Sequence, residues 1–443
     1  MAGRFSRRSD TPTESKISSA PAYTTRVSAT DRLRAYASVA MRVGLNLQPG
    51  QRLLIVGAPI LGGVSLEVAP FIREITASAY DAGASLVEVL WGDPDLLLTR
   101  FRRAPRNSFG EFSNWLTDTV CGHAEDGGAL LIVRSFCANL LMGEDQALVG
   151  QLQQAMWRNI RRLNDLTMRG RAHCCVIAAP SRDWAAQVFP HLPAGERLDR
   201  LWDAVARVCR LDEDDPVERW RTHVDALTRR CERLDRKAYS GLRFRGPGTD
   251  LTVGLPSGHR WRSASSISSA GIPFTLNLPT EEVFTLPHRD RVEGIARATR
   301  PIVCGSVLVE GATLTFAGGK LVSARADRGD EVLQRVLQTD GGARRLGEVA
   351  LVPKGSPIAE RDLLFYDPLF DENAASHIAI GAASPTTLEG GDAMSDDTFE
   401  QAGGNQSAVH VDISIGSDSI EIDGFTASGK AEAIIRSGTW LEA

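Results

Sequence analysis

A histidine and an aspartate stand two residues apart near the end of the chain, in a segment that otherwise has the composition of a β-strand. The segment NQSAVHVDISIGS covers residues 405–417 and contains His410 and Asp412. Because side chains of a strand alternate between its two faces, these two are expected to project together. A buried carboxylate is costly unless it is paired or bound to metal. The pattern therefore indicates either a metal-binding pair or a solvent-facing edge strand.

Other carboxylates and a further histidine lie at the edges of apolar segments in the second half of the chain. His377 follows an acidic turn in LFDENAASHIAIG, and Glu348 lies at the mouth of the apolar segment in RLGEVALVPKGSPI. Glu281 and Glu282 follow a proline in LNLPTEEVFT. Glu348, one glutamate of the adjacent pair, two histidines and one aspartate form an oxygen and nitrogen ligand set that suits zinc, cobalt, manganese or iron. The set is large enough for two ions.

Short apolar strands alternate with helical segments through the first half of the chain, which predicts a largely parallel sheet covered by helices. The predicted strands are 51–59, 84–93, 128–136 and 173–181. The predicted helices include 65–83 and 215–239, where apolar residues recur at helical spacing.

The character of the sequence changes near residue 240, after which turn residues punctuate alternating strands. Hairpins are predicted over 241–255, 312–326 and 419–435. We therefore predict three regions, listed here with their boundaries: a mobile tail (1–28), an α/β N-terminal domain with a mostly parallel sheet (29–240), and an α+β C-terminal metal-binding domain rich in antiparallel strands (241–443).

The composition excludes several classes of protein. Hydrophobic residues make up 43% of the 443 residues, and the net charge of −5 argues against a nucleic-acid partner. No apolar run reaches the length of about 20 residues that spans a bilayer. The seven cysteines follow neither a zinc-ribbon nor a disulfide spacing. Reduced thiols in a cytoplasmic protein are expected.

Four sequence blocks, in this order and spacing, resemble the M29 metallo-aminopeptidases, also called the aminopeptidase T/S or thermophilic family. The blocks are NLPTEEVFT, LGEVALVP, LFDENAASHIAIG and NQSAVHVDISIGS, and the resemblance extends from about residue 30 to the C-terminus. It implies a peptidase with two divalent ions (zinc, cobalt or manganese), a short peptide or small-molecule substrate, and a homodimer. The metal ligands that it implies are Glu282, Glu348, His377, His410 and Asp412.

The resemblance also suggests roles for individual residues. Glu348 would bridge the two ions, and Glu372 or Glu281 would transfer the proton of the attacking water. Glu281 would otherwise lie behind the ligands or at the surface. His288 either lines the substrate pocket or is an ordinary surface residue.

One position departs from the family pattern. These peptidases typically read H-I-A-L-G-x-A-Y, whereas this chain reads HIAIGAAS, so Ser384 stands where a catalytic tyrosine is expected. A serine hydroxyl is shorter than a phenol and reaches less far toward a tetrahedral oxyanion. This change raises the alternative of a non-peptide substrate.

Other functions remain open at the level of the sequence. His377, His410 and Asp412 alone would form the facial triad of a mononuclear Fe(II) oxygenase, and 2,5-dihydroxypyridine dioxygenases resemble these peptidases. Retention of Glu282 and Glu348 argues against that alternative. A metal-dependent amidohydrolase or deaminase that acts on a small aromatic compound is a further option, and a non-catalytic binding protein is the last.

Overall fold

The structure is a computed structural model that describes residues 28–58, 63–135, 140–304, 307–361 and 363–441. The predicted tail therefore lies outside the described residues, except for Ser28. Within the described ranges, the cysteines are unpaired thiols, as predicted. No helix there combines the length and apolar character needed to cross a bilayer.

Helices and short strands alternate through the first half of the chain, as the sequence predicts. The helices are α1 (Ala29–Val39), α2 (Ala69–Asp81), α3 (Pro94–Arg103), α4 (Asn114–Glu125), α5 (Gln146–Met168), α6 (Arg182–Val188), α7 (Ala194–Val208) and α8 (Pro216–Lys237). The strands are β1 (Arg52–Ala58), β2 (Val64–Ser65), β3 (Leu86–Val89), β4 (Trp91–Gly92), β5 (Ala129–Arg134) and β6 (Cys174–Ala178).

Helix α8 illustrates how the sequence sets these elements. The side chain of Asp215 caps its first turn, and Pro216 occupies the first helical position, where no backbone N–H is needed. Trp220, Leu227 and Cys231 recur at helical spacing and are buried on one face. The helix ends at Lys237, where basic side chains complement the helix dipole.

Strands dominate the second half. They are β7 (Gly241–Gly246), β8 (Thr249–Gly254), β9 (Ser265–Ile267), β10 (Pro273–Thr275), β11 (Asn277–Leu278), β12 (Val283–Thr285), β13 (Val292–Arg297), β14 (Ile302–Cys304), β15 (Val307–Val309), β16 (Thr313–Ala317), β17 (Lys320–Arg325), β18 (Leu346–Leu351), β19 (His377–Gly381), β20 (His410–Ser414), β21 (Glu421–Phe425), β22 (Ala431–Arg436) and β23 (Thr439–Trp440). The helices are α9 (Asp330–Val336), α10 (Pro368–Asp371) and α11 (Asp396–Gln401).

Most of these strands belong to three sheets of four or more strands, and the others form two-stranded sheets. The first is parallel, with the order β11-β6-β5-β1-β3, and helices pack against it. An eight-stranded antiparallel sheet has the order β17-β16-β13-β8-β7-β21-β22-β23 and contains the three predicted hairpins. A four-stranded antiparallel sheet has the order β12-β18-β19-β20. The predicted fold class, a parallel α/β region followed by an antiparallel α+β region, is confirmed.

The second half of the chain also contributes to the first sheet. Strand β11 pairs in parallel with β6, although the two are far apart in sequence. Leu278, Phe365 and Phe370 pack into the apolar core that lies under the parallel sheet. The division near residue 240 stays a prediction, and the two halves share this part of the core.

Candidate metal centre

Five predicted ligands lie on, or directly next to, the four neighbouring strands of one antiparallel sheet. Glu282 immediately precedes β12, Glu348 lies within β18, and His377 begins β19. His410 and Asp412 lie in β20. Glu348 is therefore inside its strand rather than at the mouth of it. Segments that are distant in the sequence meet here because antiparallel pairing aligns them side by side.

The register of the sheet puts the ligands on one face. Glu348 lies opposite Ala379, and Ala379 lies opposite Asp412. His410 lies opposite Gly381. Residues that oppose each other directly in an antiparallel pair project to the same side. Alanine and glycine between the ligands leave that side open, so the larger polar side chains can converge over the sheet.

The other face of the same strands is apolar. Val349, Ile378, Ile380 and Ile413 alternate with the polar positions, are fully buried, and pack into the core of the second half. Burial of each such side chain contributes about 1.5 to 3 kcal/mol to stability. This packing fixes the register, because a slip of one residue would exchange the apolar and polar faces.

A β-bulge at Gly347 determines where Glu348 points. Leu346 pairs with Ile380 and faces the core, whereas Glu348 pairs with Ala379 and faces the ligands. Residues two apart in a regular strand would share a face, and the extra residue at the bulge reverses this. A side chain at Gly347 would lie 2.2 Å from the carbonyl oxygen of Ala382. Glycine is therefore required there.

The five side chains form two groups that share Glu348. Glu282, Glu348 and His377 supply ligand atoms within 4.8 Å of one another, and so do Glu348, His410 and Asp412. His377 Nε2 lies 3.2 Å from Glu282 Oε2 and 3.5 Å from Glu348 Oε1. His410 Nε2 lies 3.3 Å from Asp412 Oδ1 and 3.9 Å from Glu348 Oε2. The two oxygens of Glu348 thus face different histidines.

Both imidazole rings are oriented by backbone carbonyl groups. Nδ1 of His377 lies 3.1 Å from the oxygen of Ala375, and Nδ1 of His410 lies 2.8 Å from that of Ala382. If Nδ1–H donates these hydrogen bonds, the lone pair of each Nε2 faces the carboxylates. This is the usual arrangement of histidine ligands of metals.

Glu282 has an oxygen whose position suits a cation. Its Oε2 atom is buried, forms no hydrogen bond, and lies 3.2 Å from Nε2 of His377. A buried carboxylate oxygen without a hydrogen bond is unfavourable unless a positive charge lies beside it. Together with the oriented imidazoles, this atom indicates that the residues fit divalent ions.

The electrostatics of the cluster also favour a cation. Burial alone would lower the pKa of His410, but Asp412 and Glu348 raise it to about 10. Burial likewise opposes charging of His377, but the carboxylates led by Glu282 and Glu348 raise its pKa well above the usual range. Burial raises the pKa of Glu282 itself. Without a cation the cluster therefore retains protons, which binding of a metal would displace.

Glu372 lies beside the cluster, directly after α10. Burial raises the pKa of its carboxyl group well above the usual range, and the nearby charges of Asp412 and Glu282 raise it further. Its Oε1 atom accepts a hydrogen bond of 3.4 Å from Asn373. The structure therefore brings this predicted proton carrier to the edge of the five ligand candidates.

Glu281 is directed away from the ligand candidates. Its Oε1 atom lies 2.6 Å from Nη1 of Arg210, and its Oε2 atom lies 3.6 Å from Nε2 of His223. Only 4% of the residue is exposed, so the alternative of a surface residue is wrong. Its carboxylate is paired with an arginine, so the structure does not support Glu281 as the proton carrier.

Two further predicted site residues have their contacts elsewhere. The hydroxyl of Ser384 lies 2.9 Å from that of Thr386 and donates a 3.4 Å hydrogen bond to the carbonyl oxygen of Met168. His288 is half-buried in a turn, where its Nδ1 accepts a hydrogen bond from the backbone of Asp290. These contacts do not bring either residue to the five ligand candidates.

Asn373 is a residue that the sequence analysis did not single out. It is fully buried, and its Oδ1 atom accepts a 2.7 Å hydrogen bond from the backbone N–H of Glu281. Its Nδ2 atom donates to the carbonyl oxygen of Leu369 and to Glu372. The only signal in the sequence is a polar residue inside the LFDENAASH block, which does not reveal a partner so distant in the chain.

Comparison with known proteins agrees with this fold and cluster. The family model described as "Thermophilic metalloprotease (M29)" matches residues 29–440. Aminopeptidase 2 of Geobacillus stearothermophilus is 41% identical over 408 residues, 92% of this chain and 97% of that protein. Aminopeptidase T of Thermus thermophilus is 42% identical over 409 residues, 92% and 98% of the two chains. The solved structure of wild-type AmpT from Thermus thermophilus superposes with a TM-score of 0.86 at 40% identity, and 93% of this chain and 99% of that chain are covered.

These comparisons define the class of protein to which the chain belongs. The chain is a hydrolase of the metallo-aminopeptidase type, with the fold of its structural neighbour. More particularly, it belongs to the M29 family, as the four sequence blocks predict.

Proposed function

We propose that this chain is an aminopeptidase that releases the N-terminal residue of short peptides with the help of two divalent ions. The observation that supports this most directly is the pair of ligand groups that share Glu348. One group would hold its ion through Glu282 and His377, the other through His410 and Asp412, and Glu348 would bridge the two. Relatives of similar length, about 40% identical, carry the name aminopeptidase.

The same geometry favours two ions over a single iron. A facial triad would require His377, His410 and Asp412 to converge on one point. Instead, His377 belongs to one ligand group and His410 to the other. Each of the two ligand groups includes Glu348. A mononuclear site would not need this residue.

The two ends of the cluster differ in their access to solvent. The side chain of His377 is 1% exposed, whereas that of His410 is 33% exposed and that of Asp412 is 19% exposed. A substrate would therefore approach from the side of His410 and Asp412. The buried side, with Glu282, would keep its ligands away from bulk water.

Divalent ions bound here would supply Lewis acidity, which lowers the pKa of a bound water and polarises the scissile carbonyl group. Glu372 would accept the proton of the attacking water and transfer it to the leaving amine. Its buried position next to Asp412 makes the protonated form accessible, which such a shuttle needs. Glu348 and the two histidines would orient the reacting groups.

Metal content and turnover test the proposal together. Elemental analysis of the purified full-length chain, loaded with Co²⁺, Zn²⁺ or Mn²⁺, is expected to give two ions per chain. The loaded chain is expected to hydrolyse aminoacyl-p-nitroanilides, and a chelator should abolish this activity. An unoccupied chain after loading, or no turnover on a broad panel with both ions bound, would contradict the proposal.

Glu372→Gln provides a variant that separates chemistry from metal binding. It should keep both ions but lose kcat by about 10²- to 10⁴-fold, the usual contribution of a general acid–base group. Glu389→Gln is the matched control, because the Glu389 side chain is 69% exposed and pairs with Arg260 on the surface. Its kcat should equal that of the wild type.

Ser384→Tyr tests the departure from the family pattern. Ser384 forms hydrogen bonds with Met168 and Thr386, so we propose that it does not stabilise the oxyanion. Loss of one oxyanion donor typically lowers kcat by about 10²- to 10³-fold. The tyrosine variant is therefore expected to raise kcat on peptides by at least about tenfold at unchanged metal content. An unchanged or lower kcat would favour the non-peptide substrate.

The oligomeric state and the cellular location of the chain are also predicted. A homodimer is inferred from the family resemblance, and a cytoplasmic location from the composition and cysteine usage. Both remain predictions.

A further inference from the structure

A buried arginine from the helical layer of the first half of the chain contacts the segment that carries Glu282. Arg210 follows α7, in a left-handed backbone conformation with a φ of +54°. Its guanidinium group stacks over the ring of Trp220, 5.1 Å from the centroid. The side chain is only 7% exposed. Trp220 is held in turn by a 2.6 Å hydrogen bond to the carbonyl oxygen of Cys209. Arg210 therefore presents a fixed cation.

Glu281 is the partner of this cation. Its carboxylate lies 2.6 Å from Nη1 of Arg210, and the two groups form a buried ion pair. The preceding residue is held as well, because Nε2 of His223 lies 2.8 Å from the carbonyl oxygen of Thr280. Burial lowers the pKa of His223, so its neutral form donates this bond. Helix α8 and the loop after α7 thus hold two residues next to Glu282.

Asn373 extends these contacts to the other side of the cluster. Its Oδ1 atom accepts the backbone N–H of Glu281 at 2.7 Å, and its Nδ2 atom reaches Glu372 at 3.4 Å. The segment that precedes Glu282 is therefore held at the carboxylate of Glu281 and at its backbone N–H. A ligand on a segment fixed at both of these points has little freedom to reorient.

We propose that Arg210 is a positioning residue for the candidate metal centre. Through Glu281 it fixes the backbone that carries Glu282. Asn373 links the same backbone to Glu372, so the ligand and the proton carrier keep a constant relation. The inference rests on the proposed function, since it concerns the same metal ligands. It assigns the first half of the chain a role in holding ions that are bound by the second half.

Cobalt binding to the metal-stripped, full-length chain tests this inference without relying on activity. The variant Arg210→Met/Glu281→Leu removes both charges, so no uncompensated charge stays buried, and replacement of a buried ion pair by apolar side chains is often tolerated. We expect it to fold, to bind Co²⁺ about 10- to 100-fold more weakly, and to show an altered visible d–d spectrum. That range is typical when residues behind the ligands of a metal are changed.

A control and a second variant complete the experiment. Arg245→Met breaks an arginine–aspartate pair with Asp423 in the eight-stranded sheet, which carries none of the five ligand candidates. It should leave the affinity and the spectrum unchanged. Arg210→Gln/Glu281→Gln, which also removes both charges and keeps polar side chains at the two positions, takes the place of the double variant if that protein does not fold.

The outcomes separate the two proposals. A folded variant that binds Co²⁺ with the affinity and spectrum of the wild type would overturn the positioning role of Arg210 and leave the proposed function intact. A wild-type chain that binds no Co²⁺ would overturn both. Weaker binding by the double variant and unchanged binding by Arg245→Met would support the positioning role.

Discussion

Replacement of Glu348 by glutamine is expected to remove both ions and to reduce peptidase activity to the background of the assay. Glu348 is the one residue common to the two ligand groups, so a neutral amide there weakens both at once. The substitution keeps the size of the side chain. Elemental analysis of the loaded variant measures the loss directly.

The thermal stability of this variant distinguishes ligand loss from misfolding. In the metal-free cluster Glu348 repels Glu282, whose pKa is raised first by burial, and it attracts the two histidines, whose pKa it raises. Because these effects oppose each other, the Tm of the metal-free variant should lie close to that of the metal-free wild type. Metal at about 100 times its Kd would stabilise the wild type by about 2.7 kcal/mol per ion, and the variant should gain little.

Glu389→Gln is again the control, because it removes an exposed carboxylate from the same half of the chain. Its metal content and metal-induced shift in Tm should match those of the wild type. Two ions in Glu348→Gln, or full activity, would show that Glu348 does not bridge the centre.

Gly381→Ala is expected to lower the free energy of unfolding by about 3 to 5 kcal/mol, through backbone strain and overpacking together. Gly381 has a φ of +103°, and a Cβ atom there would lie 2.0 Å from the carbonyl oxygen of Val409. It also lies opposite His410 in the ladder between β19 and β20. Relief of the clash would displace β20 and, with it, both ligands on that strand. Chemical denaturation of the metal-free chain measures the change.

Gly429→Ala separates strain from contact. Gly429 has a φ of +79°, but no atom lies within 4 Å of the position of an added Cβ. The variant should lose only about 1 to 2 kcal/mol, the usual penalty for a left-handed non-glycine residue. Equal losses of unfolding free energy in the two variants would mean that the contact with Val409 contributes nothing. Unchanged metal affinity in Gly381→Ala would show that β20 does not move.

The residue types and several local placements could be derived from the sequence. The spacing of His410 and Asp412 already implies a shared face, because the period of a strand is two. The short apolar runs of the first half and the glycine-containing turns of the second half predict the parallel sheet and the hairpins. Such features depend on neighbours in the chain, whose geometry is set by backbone sterics and the alternation of apolar side chains.

The convergence of the ligands was decided only by the tertiary structure. The same period of two would place Glu348 with Leu346 in the core, and the bulge at Gly347 reverses this. The close approach of Ala382 requires glycine at that position. Likewise, no local pattern pairs Glu281 with Arg210, since the partner lies on another part of the chain. Register, bulges and buried ion pairs depend on non-local contacts, and a one-dimensional pattern does not contain them.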